Sequence, residues 1–433
     1  RGPTVTQFGV APGYTERGSS SGKGNVKKVR VSQISSLADD LALALAAASL
    51  RVEAPVPGRS VVGIEVPNDE ISPVTLRSVM ETEAFNKMDS PLAVALGQGI
   101  TGQPVVADLG RMPHLLIAGT TGSGKSVCIK ALATCLAMNN RPDELRFVMI
   151  DPKMVELVRF NGLPHLYGQT EYELDRIVRV LRWVAFQMDE RYKKFAEVGA
   201  RHLDDYNKRI GRDARLPRIV VFIDELADMM MMAPEKTERT ICRIAQMARA
   251  TGIHLIVATQ RPSVDVVTGL IKANFPARIS FATASQTDSR VILDMPGAET
   301  LLGKGDMLYL ASDAGHPVRV QGCLVSEQEI GEVARFWKKE VPQWTQQPPW
   351  ESMMPGSVEV TSVELDEDQD GKLEEAIELV QKRKTISASY IQRQLRVGYP
   401  RAARLMEQLE EMGLVGPQKS AGRPRRVIGG ETE

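Results

Sequence analysis

The chain has 433 residues, the length of about three domains at roughly 150 residues each. Its 43% hydrophobic and 25% charged residues are typical of globular proteins and exclude a collagen-like, coiled-coil or wholly disordered chain. Lys and Arg number 54 and Asp and Glu also number 54, so no global charge attracts the chain to nucleic acid. Any basic surface must therefore be local.

The cysteine pattern indicates a reducing compartment. The four cysteines form no Cys-x-x-Cys pair, and we expect buried thiols at Cys128, Cys135, Cys242 and Cys323. The most apolar stretch, residues 41–50, is about half the length of a membrane span. No signal peptide is evident, and because the chain begins at Arg1 we expect it to be a piece of a longer protein.

The first part of the chain predicts a small α+β domain over residues 1–88. Residues 1–24 have the composition of a loop and contain a Gly/Ser-rich stretch at 18–24. Two β-prone runs, 26–33 and 60–66, flank a helical stretch at 37–50.

Residues 89–345 predict an α/β nucleotide-binding core, in which apolar β runs alternate with helical stretches. Short continuous apolar runs favour strands that are buried on both faces, as in a parallel sheet covered by helices. The predicted strands are 114–118, 147–150, 219–223, 254–259, 279–282 and 307–310.

The strongest motif directly follows the first of these strands. Residues 119–126 match the pattern G-x-x-x-x-G-K-[ST] of a phosphate-binding loop, and a helical stretch follows at 127–138. In such a loop, backbone N–H groups and the helix N-terminus hold the β-phosphate of ATP, while Lys125 spans the β- and γ-phosphates and Ser126 binds Mg²⁺. The predicted ATP-binding residues are Gly119, Thr120, Thr121, Gly122, Ser123, Gly124, Lys125, Ser126 and Val127.

Polar residues also follow other predicted strands, at the end where parallel sheets bind ligands. Asp224 and Glu225 come after the strand 219–223, and Gln260 comes after the strand 254–259. We expect Asp224 to hold Mg²⁺ through water, Glu225 to activate the attacking water as general base, and Gln260 to sense the γ-phosphate. Residues 151–156 follow their strand in a similar way.

An arginine delivered to the γ-phosphate, often by an adjacent subunit, is a further part of such ATPases. Arg290 and Arg278 are the candidates, and a surface salt bridge is the alternative for each. The five histidines lack metal-ligand spacing, so Mg²⁺ is the only metal predicted, and His114 and His254 are expected to begin strands. Residues 229–232 are all Met and predict core or subunit-interface packing, with a mobile loop as the alternative.

The C-terminal part of the chain changes composition. Residues 346–371 contain Pro, Gly and acidic residues without Lys or Arg, which predicts an acidic linker. Residues 371–433 hold 12 Lys or Arg against 8 Asp or Glu, so the basic surface lies here.

Residues 372–433 predict a winged helix-turn-helix domain of three helices and a basic hairpin. The third helix begins at Pro400, and its apolar face is formed by Ala402, Leu405, Met406, Leu409 and Met412. The DNA-contacting residues predicted on its opposite face and on the wing are Arg401, Arg404, Glu407, Lys419, Arg423, Arg425 and Arg426. A small helical docking domain with solvated charges is the alternative.

Together these motifs resemble the FtsK/SpoIIIE family of bacterial DNA translocases over nearly the whole chain. The strings that carry the resemblance are residues 37–43, 119–126, 151–156, 224–228, 258–262, 285–290 and 302–307. The resemblance implies an N-terminal α domain, a RecA-like P-loop motor that forms a homo-hexameric ring around double-stranded DNA, and a γ domain that reads short DNA motifs.

The resemblance also implies ATP-driven pumping of chromosomal DNA during cell division or sporulation. It places the motor on the cytoplasmic side of a membrane-spanning N-terminal part at the division septum. In members that resolve chromosome dimers, it further implies contact between the γ domain and a tyrosine recombinase.

Two alternatives to DNA translocation remain. One is a protein-secretion motor whose terminal module is a docking domain. The other is a nucleotide-gated DNA-binding regulator, which leaves the paired Asp224 and Glu225 unexplained. The basic recognition face and wing favour DNA translocation, because a secretion motor needs no hairpin that contacts phosphates.

Overall fold

The structure is a computed structural model that describes most of the chain. The described residues are 1–17, 25–47, 49–54, 56, 59–341, 348–351, 376–377, 379–380, 383, 385–395, 402, 405–406, 409–410, 412–416 and 425–428. The chain divides into two compact units, Arg1–Met353 and Met354–Glu433.

The first unit contains both sheets and helices. Its strands are β1 (Val5–Val10), β2 (Tyr14–Arg17), β3 (Asn25–Lys28), β4 (Arg51–Glu53), β5 (Val62–Pro67), β6 (Ala93–Gly99), β7 (Pro104–Asp108), β8 (His114–Ala118), β9 (Leu145–Ile150), β10 (Arg218–Ile223), β11 (Ile253–Thr259), β12 (Ala277–Phe281), β13 (Asp306–Leu310) and β14 (Val318–Gly322). Its helices are α1 (Val31–Ser35), α2 (Ala38–Ala44), α3 (Leu76–Met80), α4 (Glu83–Asn86), α5 (Lys125–Asn139), α6 (Leu174–Val198), α7 (Leu203–Arg209), α8 (Leu226–Met232), α9 (Pro234–Thr251), α10 (Gly269–Asn274), α11 (Gln286–Leu293) and α12 (Glu327–Glu340).

The N-terminal residues form an antiparallel sheet in the order β1-β5-β4, with β2 and β3 paired separately. The loop predicted for residues 1–24 is therefore wrong over β1 and β2. Strand β1 begins after Pro3 and ends before Pro12, and its residues pair with the distant strand β5, from Val5 with Pro67 to Val10 with Val62. The β run predicted at 26–33 is also shorter than expected, because a helix begins at Val31.

A large mixed sheet forms the centre of the unit. Its strand order within the described residues is β7-β6-β14-β13-β12-β8-β11-β10-β9. On one side of β12, the neighbours β8, β11, β10 and β9 all run parallel to it. On the other side, each successive strand, β13, β14, β6 and then β7, is antiparallel to the strand before it. The prediction of a parallel sheet is thus wrong for residues 307–310. Strand β13 is apolar because both of its faces are covered, and that burial does not depend on its direction.

The two faces of this sheet carry separate hydrophobic cores. Leu115 and Ile117 of β8 pack in one core with helix α5, whereas Leu116 packs in the other. Alternate strand residues point to opposite faces, which explains this division. Helices α6 and α9 cover the second face. Helix α5 is therefore fixed beneath the end of β8, and its N-terminus is held at the carboxyl edge of the sheet.

The C-terminal unit has its own small core. Helix α13 (Ala388–Leu395) begins after Ser387, whose Oγ accepts a hydrogen bond from the Tyr390 N–H, as the predicted cap requires. Strands β15 (Thr385–Ile386) and β16 (Arg425–Arg426) pair antiparallel. Its buried residues include Ala402, Leu405, Met406 and Leu409, as predicted. Met412 was predicted on the same face but is 53% exposed, because the chain has turned there.

Within the described residues, no helix combines the length and the apolar composition that crossing a bilayer requires.

Candidate nucleotide-binding and DNA-binding sites

The candidate nucleotide site is built on neighbouring parallel strands. In the order β8, β11, β10 and β9, each strand ends at the same edge of the sheet. The phosphate-binding loop follows β8, Gln260 follows β11, Asp224 follows β10 and Asp151 follows β9. The topology thus brings together residues that lie far apart in the sequence.

The phosphate-binding loop has the backbone geometry that its glycines permit. Gly122 and Gly124 have φ angles of 77° and 116°, a region that other residues rarely adopt. Inside the turn, Ser123 Oγ donates to the carbonyl of Thr120 at 2.6 Å. Helix α5 then begins at Lys125, and the N–H groups of its first turn have no partner within the helix. These N–H groups and the helix dipole suit an anion such as a phosphate.

Lys125 and Asp224 form a buried ion pair. The Lys125 Nζ lies 2.7 Å from Asp224 Oδ1 and 2.8 Å from the Asp224 carbonyl oxygen. Both side chains are 2% exposed. Burial raises the pKa of Asp224, and the charge and hydrogen bond of Lys125 oppose that rise. The two residues predicted to hold phosphate and Mg²⁺ are therefore adjacent.

Glu156 adds an oxygen beside the phosphate-binding loop. It accepts a hydrogen bond from the Lys130 Nζ at 2.9 Å and interacts with the Ser126 hydroxyl. Burial alone would raise the pKa of Glu156, but the hydrogen bonds from Lys130 and Ser126 and the charge of Lys130 lower it below its ordinary value. The Ser126 hydroxyl and the carboxylates of Asp224 and Glu156 are the oxygen ligands that Mg²⁺ prefers, so the donor set fits this ion.

Asp151 shapes the loop that presents Glu156. Its buried carboxylate accepts backbone N–H hydrogen bonds from the loop that follows β9. The donors are Lys153, Val155, Glu156 and Leu157, at 2.9–3.2 Å. These hydrogen bonds organise the backbone of the loop that carries Glu156.

Glu225 is the second acid after β10, and its buried carboxylate has several donors. Thr259 Oγ1 donates to Oε1 at 2.7 Å, and the Gln260 N–H donates to Oε2 at 3.1 Å. The Lys153 Nζ lies 3.2 Å from Oε2, and the side chain also accepts from the Ala227 N–H at the start of α8. These contacts fix the carboxylate in one orientation beside the phosphate-binding loop.

Lys153 and Thr259 were missed as partners of Glu225. Both lie in strings that carry the family resemblance, 151–156 and 258–262, and each follows or ends a buried strand. Their position at a strand end was the only available signal. Gln260 was placed correctly at this edge, since its Oε1 accepts a hydrogen bond from Thr121 Oγ1 at 3.0 Å.

The two arginine candidates differ in their surroundings. The Arg278 guanidinium donates to Asp294 Oδ2 at 2.6 Å and to backbone carbonyls. Those carbonyls belong to Phe275, Ile292 and Lys272. Arg290 is exposed on α11, and none of the hydrogen bonds or ion pairs among the described residues engages its guanidinium. Of the two candidates, Arg290 is thus the one with an exposed guanidinium.

The candidate DNA-binding residues of the C-terminal unit are only partly described. Arg401, Arg404, Glu407, Lys419 and Arg423 lie outside the described residues. Arg426 is exposed in β16. Arg425 lies in the same strand, but it forms an ion pair with Glu410, so its charge is already partly neutralised within the unit.

The remaining sequence predictions concern His, Cys and Met residues. His114 begins β8 as predicted and His254 is the second residue of β11, and burial lowers their pKa values to about 3 and about 4. All four cysteines are free and buried, as predicted. Residues 229–232 lie in α8, where Met229 and Met230 are buried, so core packing is confirmed for this pair. Met231 and Met232 are 68% and 64% exposed, and subunit-interface packing stays a prediction for them. No group of three or more His, Cys, Asp or Glu residues suited to a metal occurs within the described part of the chain.

The sheet and the phosphate-binding loop define a P-loop ATPase of RecA-like fold. The structure of the pCW3 conjugation coupling protein TcpA has a similar fold, with a TM-score of 0.55 and 23% identity, over 76% of this chain and 93% of that one. The cytoplasmic domain of the type VII secretion ATPase EccC from Thermomonospora curvata is 26% identical, with a TM-score of 0.54, over 61% of this chain and 34% of that one.

Sequence comparison then identifies the family. The FtsK alpha domain matches residues 1–68, the FtsK/SpoIIIE family matches 75–264 and the FtsK gamma domain, a winged helix, matches 367–429. The chain belongs to the FtsK/SpoIIIE family.

Two relatives illustrate the similarity. The DNA translocase FtsK of Caldanaerobacter subterraneus subsp. tengcongensis is 48% identical over 99% of this chain and 57% of its own length. The DNA translocase SpoIIIE of Bacillus subtilis is 46% identical over 99% of this chain and 53% of its own length. The chain thus spans about half the length of these relatives.

Proposed function

We propose that this chain is the motor part of an ATP-driven translocase that moves double-stranded chromosomal DNA during cell division. The observation that carries the proposal is the meeting of Lys125, Asp224 and Glu225 at one sheet edge, in a chain that also has an FtsK gamma domain. An ATP-hydrolysing centre and a DNA-reading module on one chain are what directional movement along DNA requires.

The chemistry of the site begins with phosphate binding. The first-turn N–H groups of α5 and the Lys125 ammonium hold the β- and γ-phosphates. Because Lys125 already lies against Asp224, its ammonium is oriented before nucleotide binds. Buried donors that are already in position stabilise developing negative charge without reorganisation.

Glu225 acts as general base toward the attacking water. Its carboxylate is held by Thr259 and by the Gln260 N–H, so the remaining lone pairs keep a fixed direction. The Gln260 side chain accepts a hydrogen bond from Thr121 of the phosphate-binding loop, and from this position it would contact the γ-phosphate. Loss of the γ-phosphate would therefore act directly on Gln260, whose backbone N–H donates to Glu225.

Mg²⁺ would be held by the Ser126 hydroxyl and, through water, by Asp224. When bound, the ion supplies charge that stabilises the phosphate oxygens. Glu156 extends this oxygen set from the loop after β9, where Asp151 holds its backbone.

DNA recognition is assigned to the C-terminal unit. Arg401, Arg404 and Glu407 are proposed to face the major groove, with Lys419, Arg423 and Arg426 on the phosphates. Arg425 is proposed to hold the wing through Glu410 as well as to add positive charge.

The assembly proposed for this motor is a homo-hexameric ring around DNA, with Arg290 reaching the γ-phosphate of a neighbouring subunit. A membrane-spanning part of the longer protein would hold the cytoplasmic motor at the division septum. A tyrosine recombinase is proposed as the further partner of the C-terminal unit.

Measurement of ATP turnover with and without linear double-stranded DNA tests the proposal. We expect DNA to stimulate turnover of the wild-type chain at least several-fold, and we expect Lys125→Ala to remain inactive in both conditions. Displacement of a triplex-forming strand from the duplex, dependent on ATP, then reports movement. ATP turnover that DNA leaves unchanged would favour the secretion-motor alternative, and DNA binding without turnover would favour a nucleotide-gated regulator.

A further inference from the structure

A buried charge network joins the N-terminal sheet to the large sheet. Arg319 of β14 donates to Glu65 Oε2 of β5 at 2.6 Å and, with two nitrogens, to the carboxylate of Asp306 at 2.6 and 3.0 Å. The Arg319 side chain is 3% exposed, and those of Glu65 and Asp306 are 0% exposed. Arg51 of β4 also contacts Glu65, at 3.1 Å. Buried charge-assisted pairs of this geometry are strong and directional.

Asp306 fixes a tight turn at residues 302–306. Its Oδ2 accepts the Leu302 N–H at 2.8 Å, and the Gly322 N–H donates to the Gly305 carbonyl at 2.7 Å. Gln321 Nε2 donates to the Lys304 carbonyl at 3.0 Å. The turn is thus tied at several points to β14, the strand that carries Arg319.

This turn lies directly against the phosphate-binding loop. The Gly305 N–H donates to the Ser123 carbonyl at 2.9 Å. A Cβ atom on Gly124 would lie 2.6 Å from Gly305 Cα, a distance that real Cβ atoms do not show. The turn and the phosphate-binding loop therefore make direct backbone contact, with no flexible side chain between them.

We propose that Glu65 and Arg319 are positioning residues for nucleotide binding. Through Asp306 and Gly305 they hold the carbonyl of Ser123, and with it the backbone N–H groups that meet the phosphates. The N-terminal sheet thereby controls the affinity of the motor for nucleotide. No residue of that sheet needs to touch the nucleotide for this effect.

Glu65→Gln in the full chain is the direct test. Arg319 keeps both bonds to Asp306 in this variant, so no buried arginine is left unpaired. We expect the dissociation constant for ADP and the KM for ATP to rise about fivefold or more, the lower range of couplings between distant sites. The kcat should change less than twofold, because Lys125 and Glu225 are not touched.

Glu53→Gln is the matched control. Glu53 lies in β4 of the same sheet and bonds to Gln7, and it lacks a described hydrogen bond or ion pair to the large sheet. It should leave ADP affinity unchanged. An equal loss of affinity in both variants would show a general effect of charge or stability and would overturn the proposal.

A measurement on the wild-type chain needs no variant. Coupling is reciprocal, so ADP must stabilise the Glu65–Arg319 contact by the same factor by which that contact favours ADP. Hydrogen exchange of the β5 amides should therefore slow about fivefold or more when ADP is added. Unchanged β5 exchange at saturating ADP would overturn the proposal.

The inference rests on the proposed nucleotide site, and the two can fail separately. If the wild-type chain binds no ADP, the proposed function itself is wrong. If the wild-type chain binds ADP and Glu65→Gln binds it equally well, only the positioning role of Glu65 and Arg319 is wrong.

Discussion

The Lys125 Nζ lies 2.7 Å from Asp224 Oδ1, with both side chains buried. In this arrangement the lysine neutralises the carboxylate that follows β10 and donates two of its three ammonium N–H groups to Asp224, which leaves the third for a bound phosphate. Loss of Lys125 should therefore affect both ATP turnover and the stability of the folded chain.

Lys125→Ala should abolish ATP turnover, because it removes the charge that meets the β- and γ-phosphates. Turnover should fall to background in a coupled ATPase assay. Lys130→Ala is the matched control, since Lys130 lies on the same helix and pairs with Glu156. Lys130→Ala should leave measurable turnover. If both variants are inactive, the loss reflects a general defect in folding and not the role of Lys125.

The same substitution should destabilise the chain in a pH-dependent way. Burial raises the pKa of Asp224, and Lys125 is the main group that lowers it, so Lys125→Ala raises this pKa further. An unpaired buried charge is destabilising by roughly 3–5 kcal/mol when ionised, whereas the protonated acid carries no charge. The deficit relative to wild type should thus be largest at pH 8 and shrink as the pH falls through the raised pKa.

Denaturant unfolding of both proteins, from pH 8 down to the lowest pH at which the wild-type chain stays folded, checks this prediction. The matched control is the double variant Lys125→Ala with Asp224→Asn, which contains neither of the two buried charges. The deficit of this double variant should not grow with pH. A deficit that is constant with pH in the wild-type background would contradict the assigned role of Asp224.

Glu225→Gln should bind ATP and stall, because only the activation of water is lost. The amide keeps the shape of the side chain and can still accept from Thr259 and from the Gln260 N–H. A general base contributes roughly 10² to 10⁴-fold, so turnover should fall at least a hundredfold while nucleotide affinity is retained.

The control for this variant is Asp228→Asn, which changes an acid two residues into α8 that lies 3.9 Å from Lys153. It should retain most of the turnover. If Glu225→Gln keeps more than about a tenth of wild-type turnover, Glu225 is not the general base.

The nucleotide site could be predicted largely because its residues follow buried strands. The loop at 119–126, Asp224 and Gln260 each come directly after an apolar run, and parallel strands end at one edge. The contacts of Lys153 with Glu225 and of Arg319 with Glu65 join residues 72 and 254 positions apart. No local pattern in the sequence specifies such pairs, since they depend on how the sheets pack.

Arg290→Ala tests the arginine supplied between subunits. Arg290→Ala and Lys125→Ala chains should each be inactive alone, and mixing them should restore some turnover. In a mixed ring some interfaces combine an intact Lys125 with a neighbour's intact Arg290. Arg278→Ala is the comparison, and we expect it to lower stability, because Arg278 holds Asp294 and three backbone carbonyls.

Assembly of the mixed rings must be verified by native mass measurement. If assembled mixtures recover no turnover, Arg290 does not act between subunits. Its exposed guanidinium would then be tested against DNA, by comparing the DNA affinity of Arg290→Ala with that of the wild-type chain.

The direction of the strands could not be predicted from their composition. Strands β12 and β13 are both buried apolar runs, yet β13 is antiparallel to β12 and parallel strands lie on the other side of β12. Burial on two faces determines composition, whereas the connection between strands determines direction. Strands β6, β7 and β14 were not predicted from the sequence, and they join this sheet only through antiparallel pairs.

The C-terminal unit should bind double-stranded DNA by itself, since its residues form a separate compact unit with its own core. Arg404→Ala should reduce the ratio of affinities for a preferred and a scrambled duplex, because an arginine fork on guanine is worth roughly 1–3 kcal/mol of discrimination. It should change the salt dependence of binding little.

Arg425 and Arg426 should have different roles, although the sequence predicts both of them equally as DNA-contacting residues. Arg426 is exposed in β16, so Arg426→Ala should weaken binding to all duplexes alike and reduce the slope of log affinity against log salt by about 0.9. Arg425 pairs with Glu410, so Arg425→Ala should reduce the slope less and lower the melting temperature of the fragment more. Titrations of residues 371–433 on two duplexes at several salt concentrations, with melting curves of each variant, measure both effects. Equal slopes for the wild-type fragment, Arg404→Ala and Arg426→Ala, with unchanged affinity, would identify the unit as a protein-docking module instead.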